Sequence, residues 1–305
     1  MHNLFIFDKS KTVFLKAVLP ILILFHHLNG VTKLEYLRPF GVVGIAVVSL
    51  FFFISGYGLL ASFQKKGMQY LYDFLRQRIL PIFCTYIGAL ALYLLFRAII
   101  YSGTICEYLK VTNFTDWLPY SWFVLELLIM YFLYWGVFRI KSISVKCKVT
   151  ISVFIIFVGY MLMICLNAPI YLWRSTPAFA LGMLYRFYED TVLNCKRRTM
   201  IFCIIMAFVL FVIANVLALK ELNFLFICVM AFGAFSLFSI KNNRVILFFN
   251  RISFEIYLVQ SIAIGLVSLL PLSKTYLFCF LVVVVDIGLA VALNRYSVYM
   301  KKMVT

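Results

Sequence analysis

At 305 residues, 65% hydrophobic and only 13% charged, the chain carries more apolar surface than a water-soluble domain hides, since charged residues make up about a quarter of such domains. Mean hydropathy is +1.04. The net charge of +17 would suit nucleic acid, but the cations sit in alternate loops between apolar runs, and that alternation points instead to a polytopic membrane protein.

Runs long enough to cross a hydrocarbon core of about 30 Å as a helix fall at about 12–30, 40–63, 79–102, 117–138, 149–167, 169–187, 199–218, 222–240, 252–270 and 273–294. The cationic loops are the ones holding Lys9 and Lys11; Lys65, Lys66, Arg76 and Arg78; Arg139, Lys141, Lys146 and Lys148; Arg186, Lys196, Arg197 and Arg198; Lys241, Arg244 and Arg251; and Arg295, Lys301 and Lys302. The opposite loops keep Lys33, Arg38, Lys110, Lys220 and Lys274. Positive loops stay cytoplasmic, so both termini are expected inside, which requires an even number of spans. The expectation is an all-α, integral-membrane helical bundle of about ten transmembrane helices, a single domain over 1–305 with no appended soluble domain.

The first run, VLPILILFHHLNG at 18–30, holds two of the three histidines. Lys16, His26 and His27 and the lack of a small-residue cleavage site separate it from a signal peptide. Lys16 and His27 are eleven residues apart, about three helical turns, so they share a face about 16 Å apart along the axis. His26 points about 100° away. With the N-terminus inside, Lys16 lies towards the cytoplasmic leaflet and His27 towards the outer one, with Pro20 between them. An ionisable group inside a span usually has a partner or a task. A cation and a titratable base in phase favour a task, although a lone buried histidine is commonly a packing residue.

The second run ends in FFFISGYGLL, where Gly56 and Gly58 allow close backbone approach or a break. The turn FLRQRILP then places Arg76 and Arg78 before the third span. Arginine binds phosphate oxygens in bidentate fashion, although a cytoplasmic topology signal explains the pair equally well. Ser55 and the glycines lie towards the same side. Arg97 can snorkel to the headgroups.

In the fourth run Glu126 falls near the midplane, at a depth not far from His27. It can orient His27, pair with Arg174 of the sixth run, or do both. Glu255 begins the ninth run four residues after Arg251, the spacing of an interfacial ion pair. Asp286, in VVVVDIGLA, is either buried against a neighbouring helix or part of a polar pathway. The eight cysteines are scattered singly, without metal-ligand spacing, and read as small apolar residues. No metal and no nucleic-acid partner is expected.

These residues fall into five motifs that resemble, nearly end to end and in order, the acyltransferase-3 family of bacterial integral-membrane acyltransferases. Lys16, ten residues and His27 match a first span of Arg, ten residues and His. FFFISGYG matches a Phe-rich run into Ser-Gly-aromatic, and FLRQRILP the arginine turn before proline. PYSWFVLELLIMY resembles the Trp-containing fourth span, and SFEIYLVQ the late Ser-x-x-x-Tyr-Leu-x-His signature. The chain departs from the pattern in Lys16 for arginine, in the close spacing of Arg76 and Arg78, and in Gln260 where histidine is common.

The resemblance implies an inner-membrane enzyme moving acetyl from cytoplasmic acetyl-CoA to a hydroxyl of a cell-surface glycan or lipid-linked saccharide. In that reading Arg76 and Arg78 hold CoA phosphates, and Lys16, Ser55 and Gly56 line the path of the pantetheine arm. His27, oriented by Glu126, is general base or transient acyl carrier. Trp122, Arg174 and Tyr257 are the candidates for sugar contact. Three alternatives stay open: a transporter or flippase of lipid-linked sugars, a non-catalytic partner of a polysaccharide export complex, and the same fold with another donor such as succinyl-CoA.

Overall fold

The computed structural model of the chain describes residues 9–100, 105–111, 116–193, 197–216, 241–272 and 275–304. Every regular element among them is helical. In lipid the backbone has no water to bond, and a helix satisfies its own N–H and C=O groups within one segment.

Helix α1 (Lys9–Thr32) continues through Pro20. A 3₁₀ segment (Glu35–Val42) containing Pro39 delays the start of α2 (Val43–Lys66) by a few residues from expectation. A single turn (Gln69–Tyr72) and a π-helical turn (Leu75–Ile79) lead directly into α3 (Leu80–Ile100). After short α4 (Ile105–Val111) come α5 (Trp122–Phe138) and α6 (Val145–Cys165). Ser144 caps α6 by accepting from the Cys147 N–H, which satisfies one of the free donors of the first turn.

The expected sixth span is broken. One turn (Ile170–Trp173) is followed by α7 (Pro177–Phe187). Pro177 has no N–H to continue an earlier turn, so it opens a helix, and the Thr176 hydroxyl donates to the Trp173 carbonyl (2.8 Å). A turn at Glu189–Leu193 precedes α8 (Arg197–Val216). The expected eighth span, 222–240, lies outside the described residues. Helices α9 (Arg244–Arg251) and α10 (Ser253–Ser268) meet at a 67° bend, and α11 (Tyr276–Val304) closes the chain. Among the described residues α1, α2, α3 with its π turn, α6 and α11 are long and apolar enough to cross a membrane, and α9–α10 adds a sixth if the bent pair is one span.

The chain divides into two compact units. The first comprises Met1–Leu15, Ile45–Tyr72 and Ile129–Asn243. In it α2 and α7 touch backbone to backbone: a Cβ on Gly56 would run into the Phe179 carbonyl, and one on Gly182 into the Phe53 carbonyl. Without a hydrophobic drive between helices in lipid, such close contact of small residues is what holds them together. Ser49 and Ser175 hydrogen-bond nearby (3.1 Å). Tyr57, from the same motif, donates to Glu189 (2.8 Å), which also pairs with Arg186.

The second unit comprises Lys16–Gly44, Asp73–Leu128 and Arg244–Thr305. Helices α10 and α11 pack along their length, and Leu24 and Leu28 of α1 join a core with Ala263, Val267, Phe278 and Val282. Helix α3 packs on α11, where Thr85 donates to Ser297 (3.0 Å). The expected Arg251–Glu255 ion pair does not form. The bend between α9 and α10 falls between the two residues and destroys their helical alignment. The buried Glu255 carboxylate instead accepts from the Asn294 side-chain amide (2.9 Å), which also reaches the Arg251 carbonyl. Asp286 is fully buried on α11, and neither of its carboxylate oxygens has a hydrogen-bond partner among the described residues.

Candidate active site

The candidate residues of the second unit are carried by α1, by the turn before α3, by α5 and the turn before it, and by α10. Because α1 stays helical past Pro20, Lys16 and His27 keep their common face and their separation of about 16 Å. Leu15, Ala17 and Leu19 are buried, yet the Lys16 side chain between them remains accessible. Arg78 lies within electrostatic reach of Lys16. Two cations brought together repel one another, so the position suits an anion. Arg76 turns elsewhere and lines a small cleft with Pro81, Cys84, Ser297 and Lys301. The arginines are two residues apart on a helical turn and therefore point to different sides, so the structure separates the pair that the sequence put together.

The two histidines are equally distinct. His26 bonds through Nδ1 to the Phe40 carbonyl (2.9 Å), and its ring fills the space where Gly44 has no side chain. It fastens the 3₁₀ segment to α1. The His27 ring makes no hydrogen bond among the described residues. It lies flat against Tyr120, ring centroids 3.9 Å apart and planes 20° from parallel, and meets His26 edge-on at 5.2 Å.

Tyr120 belongs to the turn L-P-Y-S that leads into α5, and it has a positive φ of 69°. Non-glycine residues avoid that region, and those held there concentrate at functional sites. Its carbonyl accepts from the Tyr257 hydroxyl of α10. Tyr257 is buried, with Phe123 edge-on at 5.4 Å. Gln260, one turn further on, donates to the Tyr257 carbonyl (2.8 Å), and its own Oε1 has no partner among the described residues.

Glu126 lies on α5, one turn beyond Trp122, and is within electrostatic reach of Tyr257. It is 8% exposed, and neither carboxylate oxygen has a hydrogen-bond partner among the described residues. A buried carboxyl without partners costs a few kcal/mol and needs a reason to be retained. Trp122 is half-buried in the first turn of α5. Ser55, Gly56 and Arg174 belong to the other unit. There the absence of a Cβ on Gly56 is used by the helix contact with α7, and the Arg174 guanidinium has a buried Nε without a hydrogen bond among the described residues.

Tyr120 is the residue that sequence reasoning passed over. Its φ and its stacking on His27 depend on a chain reversal that no periodicity reveals; the proline before it, next to the start of α5, is the signal that marked the turn. Among the described residues no group of three or more His, Cys, Asp or Glu is placed to hold a metal ion.

No curated protein and no solved structure matches the chain. The profile of the acyltransferase domain matches residues 14–295, from the start of α1 to the last third of α11, and so takes in every motif described above. The chain, helical and with apolar helices long enough to cross a membrane, belongs to the acyltransferase-3 family.

Proposed function

We propose that this membrane acyltransferase moves an acetyl group from cytoplasmic acetyl-CoA to a sugar hydroxyl of a cell-surface glycan or lipid-linked saccharide, in a bacterial inner membrane. The observation that carries the reading is the contrast between adjacent histidines. His26 is committed to a structural hydrogen bond, whereas among the described residues the His27 ring is held by stacking and its nitrogens make no hydrogen bond.

The accessible cation Lys16, two turns into α1, and its neighbour Arg78 bind CoA phosphate oxygens. The pantetheine arm then runs the roughly 16 Å to His27. His27 takes the proton of the acceptor hydroxyl as that oxygen attacks the thioester carbonyl. The carbon–sulfur bond breaks, and CoA leaves as the thiol with the proton returned from the imidazolium. Glu126 supplies the carboxylate that orients the imidazole in the loaded site. Trp122, at the start of α5, offers an aromatic face for the C–H surface of a pyranose.

The test is transfer of labelled acetyl from acetyl-CoA into envelope glycan by membranes carrying wild type, His27→Ala or His26→Ala. Incorporation by wild type and His26→Ala, lost in a folded His27→Ala, is the expected result. Equal incorporation by all three refutes the role of His27. Movement of lipid-linked sugar without use of acetyl-CoA would favour the transporter reading instead.

A further inference from the structure

We infer that Tyr257 and Tyr120 form a clamp that positions His27, with Tyr257 acting through Tyr120 rather than on the sugar. The inference rests on the role proposed for His27 and adds to it the device that sets the ring.

An imidazole that transfers a proton must be aimed to within a fraction of an ångström, because misplacement by about 1 Å can cost a hundredfold in rate. In most sites a hydrogen bond to one ring nitrogen does the aiming. His27 has none among the described residues, so its ring plane is fixed by what lies against its face. That neighbour is the phenol of Tyr120, 3.9 Å away and nearly parallel, with His26 against the edge. Aiming by a ring face leaves both nitrogens open in the unloaded site, one for the acceptor's proton and the other for Glu126 once the site is loaded.

Tyr120 cannot hold this place by itself. At φ 69° it occupies a conformation that costs a non-glycine residue about 1 kcal/mol or more and persists only where the surroundings fix it. Two contacts fix it. The Ser121 N–H and hydroxyl both bond the Leu118 carbonyl, at 3.1 and 2.6 Å, and close the turn. The Tyr257 hydroxyl then donates to the Tyr120 carbonyl from α10. Tyr257 is itself immobile: it is 4% exposed, it has Phe123 edge-on to its ring, and its own carbonyl is engaged by Gln260. A hydroxyl whose proton is donated to a backbone carbonyl, on a ring without open surface, is poorly placed to touch a sugar. It is well placed to carry the rigidity of α10 to the turn, and through the turn to the imidazole on α1.

Two measurements on the purified full-length protein in detergent test this. Tyr257→Phe keeps the ring and its contact with Phe123 and removes only the hydroxyl, so the fold survives. The first readout is the rate at which diethyl pyrocarbonate modifies His27, followed by peptide mass spectrometry with His2 as internal reference. The second is the kcat and KM for acetyl-CoA. The clamp predicts severalfold faster modification of His27 in Tyr257→Phe. It also predicts a kcat lowered by about tenfold to a hundredfold, with KM for acetyl-CoA unchanged. Tyr120→Leu gives the same pattern more strongly, and Tyr120→Phe, which keeps the stacked ring, behaves as wild type. Unchanged His27 reactivity in Tyr257→Phe overturns the clamp, whatever the activity does. A sugar contact gives that result together with lower transfer. Failure of the underlying role is separable: if His27→Ala transfers acetyl at the wild-type rate, the base assignment falls and the inference falls with it, even where the labelling still reports a clamped ring.

Discussion

Replacing Gly56 by alanine adds one methyl group to the motif S-G-Y-G, and the packing in the first unit fixes where that methyl goes. It lands on the Phe179 carbonyl oxygen of α7, far inside van der Waals contact, and the reciprocal position Gly182 faces the Phe53 carbonyl of α2 in the same way. The obstacle is backbone, which has no rotamer to turn away, so the two helices must separate. Overpacking of this kind costs about 1–3 kcal/mol, and separation also weakens the close contact that holds helices together in lipid. Gly58, two residues on, is the internal control. Nothing lies within 4 Å of its Cβ position, so alanine there is neutral or stabilises the helix by up to about 1 kcal/mol. Gly56→Ala and Gly182→Ala open the same interface, so the double variant should cost clearly less than the sum of the two. The assay is reversible unfolding of the purified protein in mixed micelles by a denaturing detergent, with helicity as the signal. Gly56→Ala no less stable than Gly58→Ala, or fully additive glycine variants, would refute the backbone contact.

Three further outcomes are expected. His26→Ala should lose about 1 kcal/mol in the same unfolding assay, because the bond from α1 to the Phe40 carbonyl is gone although that carbonyl keeps the Val43 N–H, while acetyl transfer by the folded fraction persists. Asn294→Leu leaves the buried Glu255 carboxylate without its amide donor and should cost a similar amount; Asn294→Gln recovering less than half of it would still agree, whereas an unaffected Asn294→Leu would not. Lys16→Gln should raise KM for acetyl-CoA about tenfold, the equivalent of one charge-assisted hydrogen bond of about 1.4 kcal/mol. Lys16→Arg should restore it, and an unchanged KM in Lys16→Gln would remove Lys16 from the donor site.

Much of this was readable along the chain because it depends on local order. A run of apolar residues becomes a helix in lipid whatever its neighbours do, since the backbone has no other way to bond. The in-phase placement of Lys16 and His27 needs only the 3.6-residue period, and it survives Pro20. The five motifs likewise sufficed for the family, which the matched stretch 14–295 bears out. Where the sequence reading slipped, a break in periodicity was responsible. The 67° bend separates Arg251 from Glu255, Pro177 divides the sixth run, and Pro39 shifts the start of the second. Hydropathy averages over such breaks and so does not register them.

The sequence by itself determined a helical membrane acyltransferase and pointed to His27, because composition, period and motif order are properties of neighbouring residues. Tertiary structure alone decided what each polar group is for. It committed His26 to the Phe40 carbonyl and stacked His27 on Tyr120, turned Arg76 away from Arg78, spent Gly56 on a helix contact, and brought Tyr257 of α10 to the carbonyl of Tyr120. The physical reason is that a hydrogen bond or a stacked ring requires positions fixed to a few tenths of an ångström between segments far apart in the chain, 137 residues for Tyr120 and Tyr257, and only packing sets that distance.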